Sequence, residues 1–439
     1  MSDNGLTRQS EYLQQFFGDV AEEIGRATGF VQRTSKLTGA VFLATLVLGW
    51  LEQPEATLNE LVQYSALLEV EISEAGLQQR LNGHAVEFLR QMLAWSISHL
   101  RGQGGEQAAV LQHFQSVNVL DSSIVILPDA LQRHFVGYRQ AGQAAAVKVQ
   151  LSFDYLTGFL NALELEDGCT PDQHCELPLR HALPDSLHLF DLGYFRLEVF
   201  RQLAEAGAFF VSRVGGHAAL YASPDARQPL DLVVFLQRRP AQGDCSLYLG
   251  DAVRVPVRFL FQRVPPAVAA QRRRKALAAA RAKGRTCSAR KLTLLEWALF
   301  VTNVPADWLS LEQVLLVYRI RWQVELLFKV WKSQAKLARF RPWRPERVLA
   351  QLYARLLGLV LFQWLVAPWR FAAAGEVSLP KAFRLLQRYA LRFCLALCQA
   401  GQPFLSLLQH LAADFQRYAR KDRRRKTPST YRRLLLAGA

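Results

Sequence analysis

The chain has six cysteines in 439 residues but no Cys-x-x-Cys pair. A chain of this length buries a core without disulfides, so a stapled secreted scaffold is excluded. Cys169, His174 and Cys175 cluster, yet no fourth ligand stands at zinc-site spacing. Cys394 and Cys398, one helical turn apart, read as core. Apolar runs long enough to cross a bilayer are missing too. Gly39 to Leu51 is 13 residues, short of the ~20 that a span needs. Gln363 and Pro368 interrupt Leu356 to Trp369. Both runs read as buried helices, and no membrane partner is expected. No N-terminal stretch joins a basic start, an apolar centre and a small-residue cleavage site, so a cytoplasmic protein is expected. Repeats of solenoid period are absent.

Acidic residues are scarce toward the C-terminus. Residues 341–439 carry 4 Asp/Glu against 18 Lys/Arg, and residues 271–290 carry 8 Lys/Arg and no acid. The net charge is +16, although residues 1–110 are net −6. Positive charge gathered toward one end points to a polyanionic partner. Aromatics among the basic segments (Trp343, Tyr418, Tyr431) suit base stacking, which favours nucleic acid. With 51% hydrophobic and 21% charged residues the chain is globular, with room for two or three domains.

Helical apolar spacing covers Ser10–Thr28, Thr34–Leu51, Thr57–Ser65 and Ser73–His99. Gly102 to Gly105 breaks the pattern and closes a first region, residues 1–112. Val117–Leu127, Ala144–Tyr155 and Phe159–Glu166 then read as strands reversing at Gly142 and Gly158, an antiparallel meander. Strand His188–Phe190, helix Leu197–Ala206 and strand Ala208–Val214 imply a parallel crossover. The expected fold is α/β: a mixed five-stranded sheet flanked by helices, over residues 113–223 and 296–340. Residues 224–295 read as a β-rich insertion, with strands Leu232–Leu236, Cys245–Leu249 and Val253–Phe261 ahead of the basic segment 271–290. Strand Trp297–Val304 resumes the core, and a Ser310/Gln313 capping box opens a further helix. Residues 341–439 read as helical and basic.

That further helix carries a narrow polar stripe. Taken as continuous, at about 100° per residue, it sets Tyr318, Arg321, Glu325, Lys329 and Lys332 within a sector of about 80°. Its other positions are mostly apolar, apart from Arg319 and Gln323, so it is expected to be packed on most sides. Two further carboxylates stand upstream. Asp121 interrupts an apolar strand, where a lone charge is costly unless neutralised, and Asp191 ends another. Asp121, Asp191 and Glu325 together suit Mg²⁺, which takes oxygen ligands and shares its shell with phosphates. Two such ions stabilise the attacking and leaving oxygens of a displacement at phosphorus. Arg321, Lys329 and Lys332 are placed to hold adjacent phosphates, and Tyr318 to hydrogen-bond one.

These residues resemble the insertion-sequence-4 family of DDE transposases. Tyr318-x-x-Arg321-x-x-x-Glu325, with Lys332 after six more residues, is similar to that family's Y-R-E-K signature. Asp191-x-Gly193-Tyr194 resembles its second motif and Asp121 in its strand the first; Ser122-Ser123 follows where many relatives have threonine. The resemblance implies an RNase H-like catalytic fold with the insertion between the second aspartate and the glutamate. It implies metal-dependent cut-and-paste transposition with two Mg²⁺ ions, for which Mn²⁺ substitutes. Activated water nicks the element end, and the freed 3′-hydroxyl attacks the other strand, giving a hairpin in well-studied relatives, then joins target DNA. The expected partners are terminal inverted repeats, target DNA and a second copy of the chain. By the same resemblance Trp297 matches a base-stacking position and Arg213 a DNA-contacting one. Residues 1–112 match the DNA-end-binding region, despite their acidic balance. Residues 341–439 are expected in DNA contact or dimerisation. The rival readings are a metal-dependent nuclease without joining activity and a catalytically idle DNA-binding derivative; intact carboxylates argue against the second.

Overall fold

The computed structural model describes residues 3–33, 35–100, 108–138, 142–341, 344–372, 375–397, 403–422 and 428–437. Trp343, Cys398, the glycine-rich break at 102–105 and the basic run 423–426 lie outside the described residues.

The chain begins with helices α1 (Asp3–Phe17) and α2 (Asp19–Ala27). The single helix expected over Ser10–Thr28 is thus two. They divide at Gly18, where a Cβ would come within 2.6 Å of the Gln14 carbonyl oxygen. Helix α3 (Gly39–Glu52) is capped by Thr38, whose hydroxyl accepts from the Val41 amide. A Thr57–Glu60 capping box opens α4 (Leu58–Leu67). The helix expected over Ser73–His99 also divides, into α5 (Glu74–Arg80) and α6 (Gly83–His99). Asn82 leaves the helical conformation and accepts from the Ala85 amide, which starts α6 afresh.

Strands β1 (Ser116–Leu127), β2 (Ala145–Asp154) and β3 (Leu160–Asp167) follow. Next come α7 (Leu177–Arg180), β4 (Ser186–Phe190), α8 (Leu197–Glu205), β5 (Phe209–Arg213) and β6 (Leu220–Tyr221). The stretch Leu232–Leu236, expected as a strand, is a helix, α9 (Leu232–Gln237). Asp231 caps it by accepting from the Val233 and Val234 amides. Leu232 and Leu236 are buried while Val234 is exposed, which is helical and not strand periodicity. Then come β7 (Gln242–Leu249), β8 (Val255–Arg263), α10 (Pro266–Ala282), α11 (Ala289–Leu294) and β9 (Trp297–Thr302). The chain closes with α12 (Leu311–Tyr318), α13 (Trp322–Ser333), α14 (Pro345–Val366), the hairpin β10 (Phe371–Ala372) and β11 (Gly375–Glu376), α15 (Leu379–Leu397), α16 (Pro403–Tyr418) and α17 (Thr430–Ala437).

These elements form two compact units. Unit 1 comprises residues 1–107, 122–170 and 322–427; unit 2 comprises 108–121, 171–321 and 428–439. The chain changes unit inside β1, after Asp121, and again between Arg321 and Trp322.

Unit 1 orders its strands β3-β2-β1. Strands β2 and β3 are antiparallel and reverse at Gly158, whose φ of 78° is glycine's domain. Helix α14 packs on α3 and α6, and α15 on α3 and α16. Among the described residues Pro345–Trp369 is the one stretch long and apolar enough to cross a membrane, and its apolar window is wholly buried. The all-round apolarity of α14, like that of α3, is that of a core helix.

Unit 2 orders its strands β1-β4-β5-β9-β8-β7-β6. The β1–β4 and β4–β5 pairings are parallel, and those from β5 onward are antiparallel. Unit 2 alone orders seven strands in this way, so the five expected do not describe its sheet. The discrepancy comes from the insertion. Its strand β8 pairs with β9 over Arg258–Arg263, so β6 to β8 extend the sheet instead of forming a separate one. Helix α8 packs on β5, and α17 packs on α12.

Candidate active site

The sheet register of unit 2 brings the two aspartates together. Val119 of β1 lies beside Leu189 of β4, and Leu189 beside Val211 of β5. Carried on by two residues, that register lines up Asp121 of β1, Asp191 just beyond the end of β4, and Arg213 at the end of β5. The strands are about 4.8 Å apart, and a side-chain period of two puts all three on one face. In open α/β sheets, ligands bind beyond the carboxyl ends of parallel strands. Asp191 follows β4 in an extended conformation (φ −83°, ψ 167°), ahead of a 3₁₀ turn at Leu192–Tyr194. Its side chain does not cap that turn.

Neighbouring carboxylates need neutralising groups. The end of α12 and the 3₁₀ turn after it supply one cation, Arg321, and one hydrogen-bond donor, Tyr318. Arg321 Nη1 lies 3.5 Å from Asp121 Oδ2, with side chains 11% and 21% exposed. The Tyr318 hydroxyl donates to Asp191 Oδ1 at 3.4 Å. Both contacts are longer than the ~2.8 Å of a tight charged hydrogen bond. The Tyr318 ring stands edge-on to Phe300, which pairs with Arg213 across β5 and β9. Burial, then the Asp191 charge, pushes the phenol's pKa above its ordinary value, against Arg321 and Arg213. Tyr318 therefore keeps its proton and acts as a donor.

The continuous helix expected over 318–332 is a correction. Helix α12 ends at Tyr318, Arg319–Arg321 form a 3₁₀ turn, and α13 begins at Trp322. In 3₁₀ geometry residues i and i+3 eclipse, whereas an α-helix offsets them by about 60°. The tighter turn brings Tyr318 and Arg321 toward one line, where each meets one aspartate of the row.

On α13, in unit 1, Glu325, Lys329 and Lys332 share a face at i, i+4 and i+7. Glu325 is half-buried and the two lysines are exposed. Trp322, three residues before Glu325, borders the same face and is 57% exposed. Sequence reasoning counted it as packed apolar surface. Its place at i−3 from Glu325 was the available signal. Trp297 is the opposite case. It is buried at the start of β9, edge-on to Phe261, with the Arg263 guanidinium 5.8 Å from its ring centre. Arg213 is exposed. Sequence reasoning also passed over Arg272, seen only as part of a basic segment. Arg272 donates to the Trp297 carbonyl at 3.0 Å, and burial, then the Arg213 charge, lowers its pKa.

Among the described residues, no group of three or more His, Cys, Asp or Glu side chains is gathered to hold a metal ion. Unit 2 does supply a pair of hard oxygen donors, Asp121 and Asp191. That donor chemistry fits Mg²⁺ or Mn²⁺. Glu325, the third expected ligand, belongs to unit 1.

Oxygen donors, a guanidinium and a protonated phenol gathered over the ends of parallel strands suit phosphate chemistry on an α/β domain. Residues 112–361 match the family described as Transposase DDE domain, and the chain belongs to that family. Its members are enzymes that cleave DNA and transfer strands, and they depend on divalent metal. The chain is 27% identical over 445 residues to the transposase for insertion sequence element IS231F of Bacillus thuringiensis subsp. israelensis, covering 94% of this chain and 92% of that one. It is 24% identical over 430 residues to the transposase for insertion sequence element IS1151 of Clostridium perfringens, covering 92% and 90%. A cryo-EM structure of the piggyBac transposase synaptic complex with hairpin DNA overlaps it at a TM-score of 0.45 and 11% identity, over 97% of this chain and 83% of that one.

Proposed function

We propose that the protein is the transposase of a bacterial insertion sequence of the insertion-sequence-4 type, which cuts DNA at the element's ends and joins the freed 3′-hydroxyl to target DNA. The observation that carries this is that Arg321 meets Asp121 of β1 while Tyr318 meets Asp191, just after β4, the strand that pairs parallel with β1. Strands β3-β2-β1-β4-β5 make up the RNase H-like core of this reading. Asp121, Asp191 and Glu325 are the metal-holding carboxylates, for two Mg²⁺ ions that Mn²⁺ replaces. Bound metal would supply Lewis acidity and charge neutralisation at the phosphodiester. The chain's own groups do the positioning. Arg321 turns its fork from Asp121 to a phosphate. Tyr318, protonated, donates to a phosphate oxygen. Lys329 and Lys332, exposed beside Glu325, hold the flanking backbone. Arg213 contacts DNA next to the aspartate row. Trp297 is kept as the base-stacking position implied by resemblance, while the more exposed indole is Trp322.

Residues 1–112 serve as the end-binding region, with Arg26, Arg33 and Lys36 or the basic insertion and tail making the phosphate contacts. The active assembly is a homodimer on two paired ends, in the cytoplasm. The test is incubation of the purified protein with end-bearing DNA, target DNA and Mg²⁺. Strand-transfer products establish the transposase. Cleavage without joined product establishes a nuclease, and binding without cleavage an idle derivative.

A further inference from the structure

Gln323 is one of the few polar residues among the apolar positions of α13, and it lies two residues before Glu325. Its Oε1 accepts a hydrogen bond from Arg370 Nη2 at 3.1 Å. Arg370 follows α14 after a 3₁₀ turn at Ala367–Trp369 and is 4% exposed. Its guanidinium lies 4.5 Å over the Phe153 ring and 5.4 Å over the Tyr155 ring. Burial lowers its pKa to about 10, against the nearby Tyr155, Glu376 and Asp154, so it stays charged at neutral pH.

Its surroundings are hydrogen-bonded. Asp154 accepts from the Leu156 and Thr157 amides at 3.1 and 3.2 Å and from the Thr157 hydroxyl at 2.6 Å, which locks the β2–β3 turn. Glu376 pairs with Lys421, whose amide donates back to the Glu376 carbonyl at 2.9 Å. Buried charges persist in proteins where they are paired and hydrogen-bonded. Here one guanidinium is set against the hairpin turn and the segment after α14, and it reaches the first turn of α13 through Gln323.

We infer that Arg370 is a positioning residue that holds Glu325 through Gln323, fixing the rotation of the first turn of α13. This rests on the proposed role of Glu325 as a metal-holding carboxylate. Groups that orient metal ligands from behind change metal affinity or activity by about 10–100-fold when removed.

The test uses the full chain with four variants: Gln323→Leu, which keeps length but loses the acceptor; Gln323→Glu, which restores it; Gln323→Asn, which withdraws the amide by one methylene; and Glu325→Gln. Mn²⁺ binding is read by electron paramagnetic resonance, alongside DNA cleavage, DNA affinity and thermal melting. Gln323→Leu is expected to weaken Mn²⁺ binding and slow cleavage by about 10–100-fold, with DNA affinity unchanged. Gln323→Glu is expected to recover both. Wild-type Mn²⁺ binding in folded Gln323→Leu overturns the inference. If that variant fails to fold, wild-type Mn²⁺ binding in folded Gln323→Asn overturns it instead. Glu325→Gln separates the two layers. If it binds Mn²⁺ and cleaves like wild type, the role of Glu325 falls. If it is impaired while the Gln323 variants are not, only the positioning role falls.

Discussion

The two strand-borne aspartates and the helix-borne glutamate are held in place by different means. Asp121 and Asp191 owe their proximity to backbone register, fixed over four consecutive pairs from Ser116↔Ser186 to Val119↔Leu189. A slip of one residue would turn Val117 and Val119 out of the core, so the register is over-determined. Glu325 has no such ladder. Its azimuth depends on a helix that starts directly after a 3₁₀ turn, and on side chains such as Gln323 that grip its first turn. Strand positions are set by backbone pairing, while the helix position is set by side-chain packing and by the Gln323–Arg370 hydrogen bond.

The largest effects follow from that contrast. Asp121→Ala, Asp191→Ala and Glu325→Ala are each expected to lower DNA cleavage by at least about a thousandfold, or roughly 4 kcal/mol. DNA binding is expected to remain within a few-fold, measured by gel shift. Asp121→Glu and Asp191→Glu should be nearly as poor as alanine, because the strands cannot retreat by one methylene. Glu325→Asp should retain measurable cleavage. Equal tolerance at all three positions would break the comparison.

A smaller effect is expected at Arg321, which meets Asp121. Arg321→Ala removes a charged fork, costing about 10–100-fold in cleavage, as for a hydrogen bond to a charged group worth about 1.5–3 kcal/mol. Arg321→Lys keeps the charge but not the fork and should recover only part. Full recovery in the lysine variant would reduce Arg321 to a point charge.

What the sequence made legible follows the same division. The strand aspartates were readable because a carboxylate inside Val119-Leu-Asp-Ser-Ser-Ile is out of place, and because strand, helix, strand implies parallel neighbours. Their exact side-by-side register was not, since it depends on non-local pairing. The periodicity of the α13 stripe survived for Glu325, Lys329 and Lys332, but Tyr318 and Arg321 were offset by a 3₁₀ turn that no local residue announces. The two tryptophans differ in place: Trp297, given a base-stacking role by resemblance, is buried at a strand start, and Trp322, one of the apolar positions of the helix, is exposed at a helix start. Leu232–Leu236 misled because its residues favour strands, while the Asp231 cap decided for helix. The extent of the sheet was hidden because β8 reaches β9 across more than thirty residues of intervening chain.

The mildest expected effect separates the two supports by pH. His188 of β4, three residues before Asp191, is fully buried beside Ser186 Oγ at 3.0 Å and Asn118 Nδ2 of β1 at 3.5 Å. Burial lowers its pKa from 6.5 to about 3. The folded ring therefore stays neutral while the unfolded chain takes up a proton as pH falls below about 6.5. The unfolded state binds more protons in that window, so stability is fully present above pH 6.5 and is lost progressively toward pH 3. At pH 5 the loss is about 2 kcal/mol relative to pH 7. Arg370, behind the glutamate's helix, stays charged over this range and adds no slope. Urea midpoints at pH 7 and pH 5, followed by probes on β4 and on α13, should show acid weakening the strand support first. His188→Asn should be less stable at pH 7 but should lose that difference between the two pH values. An unchanged acid dependence in His188→Asn would mean that the strands are not secured through this ring.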